Sequence, residues 1–191
     1  DARMHLGRAP FLASCLCATL LGGCAPGRDL APLPPPADAE YRLGPGDQVR
    51  IITVGDEALT GEFRVGDSGR LALPMLGSVR AAGLPPAALE RAVAGMLTRA
   101  GLERDPSVSV EVTAYRPIFV LGEVNKPGQF PYQPGMSVVA AVALAGGYTY
   151  RAVEDYVAVV RADGGAPVEG RAPPEAPLRP GDVVRVFERR F

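Results

Sequence analysis

Tryptophan is absent, aromatic residues of every kind make up 6% of the 191-residue chain, and histidine occurs once, at His5. A core without tryptophan is built from Val, Leu, Ile and Ala, and a hydrophobic content of 47% is ample for one. Cysteine is nearly as scarce, with Cys15, Cys17 and Cys24 all inside the first 24 residues. No disulfide framework or cysteine-based zinc site can therefore staple the body of the chain. Because His5 lies in the same leader, a Ser-His-Asp or Cys-His set and a histidine-ligated metal are also excluded from the folded part. Surplus charge is missing too: 20 Lys+Arg stand against 21 Asp+Glu, a formal net charge of -1. Nothing is left over to hold a polyanion, so nucleic acid is not expected as a partner. No G-x-x-x-x-G-K-[ST] loop and no G-x-G-x-x-G turn occurs, so no nucleotide fingerprint is present. The carboxylate neighbours Asp56-Glu57 and Glu154-Asp155 would point to opposite faces of a strand and do not form an acid/base couple. The chain is read as a non-enzyme, with no catalytic residue, no cofactor and no metal ligand assigned.

Glycine and proline are abundant instead, at 23 and 20 residues, without the fixed period of collagen. Many turns are expected. The first 23 residues read as a signal peptide, with Arg3 and Arg8 before an apolar run over 9–21 that is too short for a comfortable permanent span. Met4 is a candidate start. Leu21-Gly22-Gly23-Cys24 resembles the bacterial lipobox, which makes Cys24 the expected lipid-attachment residue and the first mature residue. Several acyl chains, at about 0.8 kcal/mol per buried methylene, would hold it in the membrane. Ala25 in place of an aspartate favours the outer membrane by resemblance to lipoprotein sorting rules. Residues 24–40 form a Pro-rich linker, expected as an extended spacer that holds the body off the membrane.

From Tyr41 onward, short β segments alternate with turn signals. Leu43-Gly44-Pro45-Gly46-Asp47 is a turn that leads into a β-branched strand over 48–54. Segments 62–65 and 71–73 bracket Gly66-Asp67-Ser68-Gly69, which suits a hairpin because Gly69 tolerates positive φ, and Pro74 ends the pairing. A helix is predicted from Pro85-Pro86 to Ala100, stopped by Gly101. Leu89, Val93, Met96 and Leu97 form its apolar stripe, while Glu90, Arg91 and Arg99 face water. Val108, Val110 and Val112 alternate with polar residues as a half-buried strand. A second unit starts at Arg116-Pro117. It has a strand over 118–124, a turn at Asn125-Lys126-Pro127-Gly128, a return strand over 129–132, and a helix capped by Ser137 that Gly146-Gly147 terminates. A strand over 156–161, a Gly/Pro-rich loop over 163–177 and a last turn-and-strand segment over 178–187 complete it. The fold class is α+β, two small mixed sheets each with one main helix, the second β-grasp-like.

An internal echo links the units: Leu43-Gly44-Pro45-Gly46-Asp47-Gln48-Val49-Arg50-Ile51 and Leu178-Arg179-Pro180-Gly181-Asp182-Val183-Val184-Arg185-Val186 share L-x-P-G-D-x-V-R-[IV]. It reads as a turn-into-strand device in which the aspartate caps its own turn and the arginine decorates the solvent side. Asp47 and Asp182 are therefore not nominated as catalytic acids.

Tyr41-Arg42-Leu43-Gly44-Pro45-Gly46-Asp47 before Val49-Arg50-Ile51, then Gly69-Arg70-Leu71-Ala72-Leu73-Pro74 with Gly77 and Ala82-Gly83-Leu84, then Asp105-Pro106-Ser107-Val108-Ser109-Val110, follow one another in the order and spacing of a known domain. Together they resemble the polysaccharide export domain of the Wza-like outer-membrane polysaccharide export lipoproteins, here over 41–115. Val120-Leu121-Gly122-Glu123-Val124-Asn125-Lys126-Pro127-Gly128, Pro134-Gly135-Met136-Ser137-Val138 and Ala143-Leu144-Ala145-Gly146-Gly147-Tyr148 resemble that family's soluble ligand-binding β-grasp (SLBB) domain, over 116–191. The resemblance implies a homo-oligomeric ring, lipid-anchored in the outer membrane, enclosing a periplasmic conduit for a capsular or extracellular polysaccharide polymer. It also implies an inner-membrane polysaccharide co-polymerase as partner. Larger members carry a further β-grasp repeat and an amphipathic C-terminal helix, and this chain reaches Phe191 directly after its last strand. A short form opening onto a separate outer-membrane β-barrel is expected; the competing expectation is a lipid-anchored adaptor or polysaccharide-binding module without a pore. Tyr148, Tyr150 and Arg151 are candidates for a sugar-facing surface, with core packing or subunit contact as the alternative for the tyrosines.

Overall fold

A computed structural model describes residues 25–35, 40–55, 57–162 and 165–189. Cys24, the leader with His5, Cys15 and Cys17, and Asp56 lie outside the described residues. Two hydrophobic cores form, one on each side of Arg116. In the first, the turn at Pro45-Gly46 delivers the chain into β1 (Gln48–Thr53), whose alternation buries Val49 and Ile51. β1 is flanked by β2 (Gly61–Arg64) and β5 (Val108–Ala114), both antiparallel to it. Between β2 and β5 in sequence lie β3 (Arg70–Leu73), β4 (Gly77–Arg80) and α1 (Pro86–Arg99). The proline at the first helical position costs nothing, since that amide has no intrahelical partner. Leu89, Val93 and Leu97 of α1 are buried and Met96 packs beside them, as the stripe predicts.

Three expectations change in this unit. The turn at Gly66-Gly69 forms, with Gly69 at φ +74°, but β2 and β3 do not pair. β1 already occupies a flank of β2, and β3 finds its ladder with β4, a strand that the sequence reading missed. Glu90 does not face water; its carboxylate accepts the Val110 amide at 2.9 Å and ties α1 to β5. Finally, the ladders of this unit are antiparallel, so parallel pairing is confined to the second unit among the described residues.

The second unit is a five-stranded sheet in the order β7-β6-β10-β8-β9, made of β6 (Ile118–Gly122), β7 (Gly128–Phe130), β8 (Val157–Arg161), β9 (Val168–Ala172) and β10 (Val183–Val186). The last strand inserts between β6 and β8, parallel to the first and antiparallel to the second. One helix, α2 (Val138–Leu144), lies on one face, capped by the Ser137 hydroxyl accepting the Ala140 amide. Val138, Ala141 and Val142 meet Ile118, Val120, Val184 and Val186 in the core. The architecture is α+β, as expected. β9 falls inside the stretch read as a loop: Val168-Glu169-Gly170-Arg171-Ala172 has no β-branched run, and it is a strand because β8 offers a free edge.

The Pro-rich segment also departs from expectation. Over 25–35 it is a strap lying on the second unit. Leu33 donates its amide to the Arg171 carbonyl at 2.7 Å, and Arg171 returns its own amide to Ala31 at 2.8 Å. The Arg171 guanidinium donates to the Arg28 carbonyl at 3.0 Å, and the Tyr156 hydroxyl to the Pro26 carbonyl at 3.0 Å. The physical reason is the outer edge of β9, whose backbone groups would otherwise be left to solvent. Gly170 permits the approach, because a Cβ there would stand 2.5 Å from the Leu33 Cα. Gly170→Val is therefore expected to dislodge the strap while leaving the sheet folded. Faster amide exchange at Leu33 and Arg171, with β6 and β10 still protected, would check this.

Candidate functional site: two buried aspartates and the arginine between them

The repeated L-x-P-G-D turns meet. Asp47 and Asp182 are both fully buried, and burying an unpaired carboxylate costs several kcal/mol, so each must collect donors. In both turns the aspartate accepts the amide three residues upstream, Gly44 to Asp47 Oδ2 at 2.7 Å and Arg179 to Asp182 Oδ2 at 2.8 Å. That is the expected self-capping, and the glycines of the two turns take φ +94° at Gly46 and +87° at Gly181.

Each aspartate then takes an arginine from elsewhere. Arg161, the last residue of β8, makes a fork on Asp182, Nε to Oδ1 at 3.0 Å and Nη2 to Oδ2 at 2.7 Å. Arg116, at the join between the two units, donates its amide to Asp47 Oδ1 at 2.8 Å and its Nη1 to Oδ2 at 3.3 Å. The Tyr41 hydroxyl donates to the same carboxylate. Arg116 is held on two sides: a Cβ on Gly44 would come within 2.2 Å of its Nη1, and one on Gly181 within 2.9 Å of its Nε. The Gly181 amide donates to the Pro117 carbonyl at 3.1 Å. The two turns thus close on the segment that joins the units.

Around this clamp the tyrosines form a ladder. Tyr41 meets Tyr115 edge-on at 5.0 Å, and Tyr115 meets Tyr132 of the second unit at 5.5 Å. Burial, reinforced by the hydrogen bond to Asp47, pushes the Tyr41 phenol far above its ordinary value, so it stays a donor. Burial also raises Tyr115 and Tyr132. The outward arginines of the echo behave as the pattern predicts: Arg50 pairs with Glu62 at 3.0 Å, and Arg185 pairs with Glu169, all on exposed surface.

The sequence-nominated residues do not converge. Tyr148 packs against the second core with its hydroxyl buried, and its phenol is raised by burial and by Glu154 and Glu175. Tyr150 is 86% exposed, and Arg151 pairs with Glu188. Glu154 lies 3.6 Å from Arg189. A cavity of about 130 Å³ between the strap and β9 is lined by Pro32, Pro34, Pro35 and Pro177 with Arg161 and Arg171, well below the roughly 300–1,000 Å³ of a small-molecule site. Among the described residues, no group of His, Cys, Asp and Glu could hold a metal ion. Arg116 and Arg161 were not picked out from sequence. The available signal was Arg161 itself, a charge closing the otherwise apolar run of β8.

Asp182→Asn is expected to cost about 3–5 kcal/mol, because it strands a buried guanidinium. Asp47→Asn should cost less, about 1–3 kcal/mol, since the Arg116 side chain is 20% exposed against 8% for Arg161 and can reach water. Urea unfolding near pH 7 would rank them. The raised Tyr41 value stabilises the fold below the ordinary phenol pKa of about 10 and is lost as pH rises beyond it. Tyr41→Phe should therefore be less stable than the parent at about pH 7 by roughly 1–2 kcal/mol, with the gap narrowing above about pH 10. Unfolding midpoints across that range would test the sign.

Residues 35–113 match the family profile described as polysaccharide biosynthesis/export protein, and residues 117–172 match the SLBB domain profile. The chain is also 38% identical over 119 residues to the exopolysaccharide production protein ExoF of Rhizobium meliloti (strain 1021). That match takes in 56% of this chain and spans 28% of the length of the relative. The Arg116 clamp sits in the short gap between the two profile matches. An export-domain match followed by an SLBB-domain match, together with the similarity to an exopolysaccharide production protein, supports the Wza-like polysaccharide export protein family for this chain.

Proposed function

We propose that this chain is a lipid-anchored outer-membrane protein, attached through Cys24 on the periplasmic side, whose copies form a ring conduit for an exported capsular or extracellular polysaccharide. The observation that carries the reading is the pairing of an export-domain match with an SLBB match in one short chain. The lipobox-like Leu21-Gly22-Gly23-Cys24 directly before the strap adds to it. The relative's printed role, exopolysaccharide production, is of the same kind.

In this proposal the protein makes and breaks no bond. Polymer synthesis at the inner membrane drives transport, and a polysaccharide co-polymerase there is the docking partner. The proposal also includes a separate outer-membrane β-barrel protein onto which the conduit opens. The strap adds a physical consequence. Ala25 and Pro26 begin a segment bonded to the second unit, so acyl chains on the preceding cysteine would hold that unit close to the bilayer.

The native mass of the protein, extracted in mild detergent from its own membranes, tests the ring. A discrete multi-subunit species is expected, and a strict monomer under all gentle conditions would falsify the self-contained conduit. Cys24→Ser should abolish incorporation of labelled fatty acid and move the protein from the membrane to the soluble periplasmic fraction. Retention in the membrane without label would overturn the anchor.

A further inference from the structure

We infer that Arg70 and Arg80, opposed on the outer face of the β3–β4 ladder, form an anion subsite that takes the carboxylate of an acidic saccharide unit in the exported polymer. This rests on the conduit proposed above and names the class of polymer it carries. The first observation is register. Arg70 stands directly opposite Arg80 in the antiparallel pairing of β3 with β4. The Ala81 amide donates to the Gly69 carbonyl at 2.9 Å, and this ladder bond leaves Arg70 and Arg80, the next residues along, as a non-hydrogen-bonded pair. In such a pair the opposed side chains stand closest. Because Leu71, Leu73 and Val79 turn inward and are buried, both arginines turn outward, and both are exposed.

The second observation is charge. Like charges set opposite each other destabilise a ladder, and the neighbouring sheet avoids this: in β1–β2 the residue opposite Arg50 is Glu62, which pairs with it at 3.0 Å. On β3–β4 no acid answers. Among the described residues neither Arg70 nor Arg80 has a carboxylate partner, and Asp67, in the turn before β3, forms no ion pair with them. Arg70 is held by Ser78 instead, its Nε donating to the Ser78 hydroxyl at 2.9 Å and its Nη2 to the Ser78 carbonyl at 2.8 Å. Those two bonds fix the guanidinium. Its Nη1 and the whole Arg80 fork keep their donors for a ligand.

An anion between the two guanidinium groups removes their repulsion and accepts from both, and a carboxylate matches the arginine fork in shape. The rest of the face narrows the source. Ala72 and Ser78 are the outward residues beside the arginines, both exposed, so the face lacks the aromatic or apolar anchor that centres a protein interface. The lipid anchor proposed at Cys24 precedes a strap bonded to the second unit, whereas β3 and β4 belong to the first, so the anchor gives no reason to seat a lipid headgroup here. A hydrated acidic chain needs only exposed charge and small neighbours. With a formal net charge of -1 overall, attraction for such a polymer has to come from a local excess, and this pair supplies one.

Full-length, lipidated protein in mild detergent tests this, with oligogalacturonate as the acidic probe and maltodextrin of matching length as the neutral one. Oligogalacturonate should bind, more weakly as salt rises, and maltodextrin should not compete with it. Arg70→Gln and Arg80→Gln should each weaken that binding about tenfold, the loss of one charge-assisted contact. Arg80→Glu places an acid opposite Arg70, so it should raise the thermal unfolding midpoint above the parent's while abolishing binding, a split that a purely structural pair would not show. No binding by the parent, or equal binding by the parent and all three variants, would overturn the subsite. Vesicles of phosphatidylglycerol captured by Cys24→Ser protein through the same two arginines, in preference to oligogalacturonate, would assign the pair to a lipid headgroup and overturn it too. The subsite lies within one chain, so its failure and that of the ring are separable. Oligogalacturonate bound by a monomeric protein would remove the ring and keep the subsite, and a ring that binds none would do the reverse.

Discussion

Two carboxylates inside the protein set the terms for everything around them. A buried aspartate without donors would cost more than a small unit can spare, so Asp47 and Asp182 dictate the backbone amides, the glycine conformations and the arginines that surround them. The same five-residue turn solves the problem twice, and the difference between the solutions organises the chain. Asp182 is satisfied inside its own unit by Arg161 from β8. Asp47 is satisfied by Arg116, which belongs to the segment joining the units. One charge pair is thereby internal and the other structural for the junction. The missing side chains of Gly44 and Gly181 let the Arg116 guanidinium lie between both turns.

A second constraint is the edge of β9. A sheet edge left open is a site for unwanted pairing, and here residues 31–33 pair with it. The chain therefore returns to its own C-terminal unit before the export-type unit begins. This couples the N-terminal segment mechanically to the last unit rather than to the one that follows it in sequence.

The polar groups of the junction are occupied with one another. Among the described residues, the buried acids are committed to amides and guanidinium groups, and the tyrosines of the junction stack on one another or on the clamp.

Local patterns were legible in the sequence because their causes are local. The α1 stripe of Leu89, Val93 and Leu97, the Ser137 cap and the alternation of Val108, Val110 and Val112 each follow from residues within a turn or two of one another. The resemblance to an export unit followed by an SLBB unit was equally readable, since it rests on motif order. What the sequence left open was pairing at a distance. β3 chose β4 instead of β2, β9 formed from a stretch that looks like loop, and the Pro-rich strap found an edge more than a hundred residues away. Strand partners depend on which edges remain free after the core has packed. The aspartates show both halves of the matter. The turn and its self-cap are determined by Pro-Gly-Asp alone, whereas the arginine each carboxylate receives is settled only when the units fold together and burial makes an unpaired charge too costly to leave.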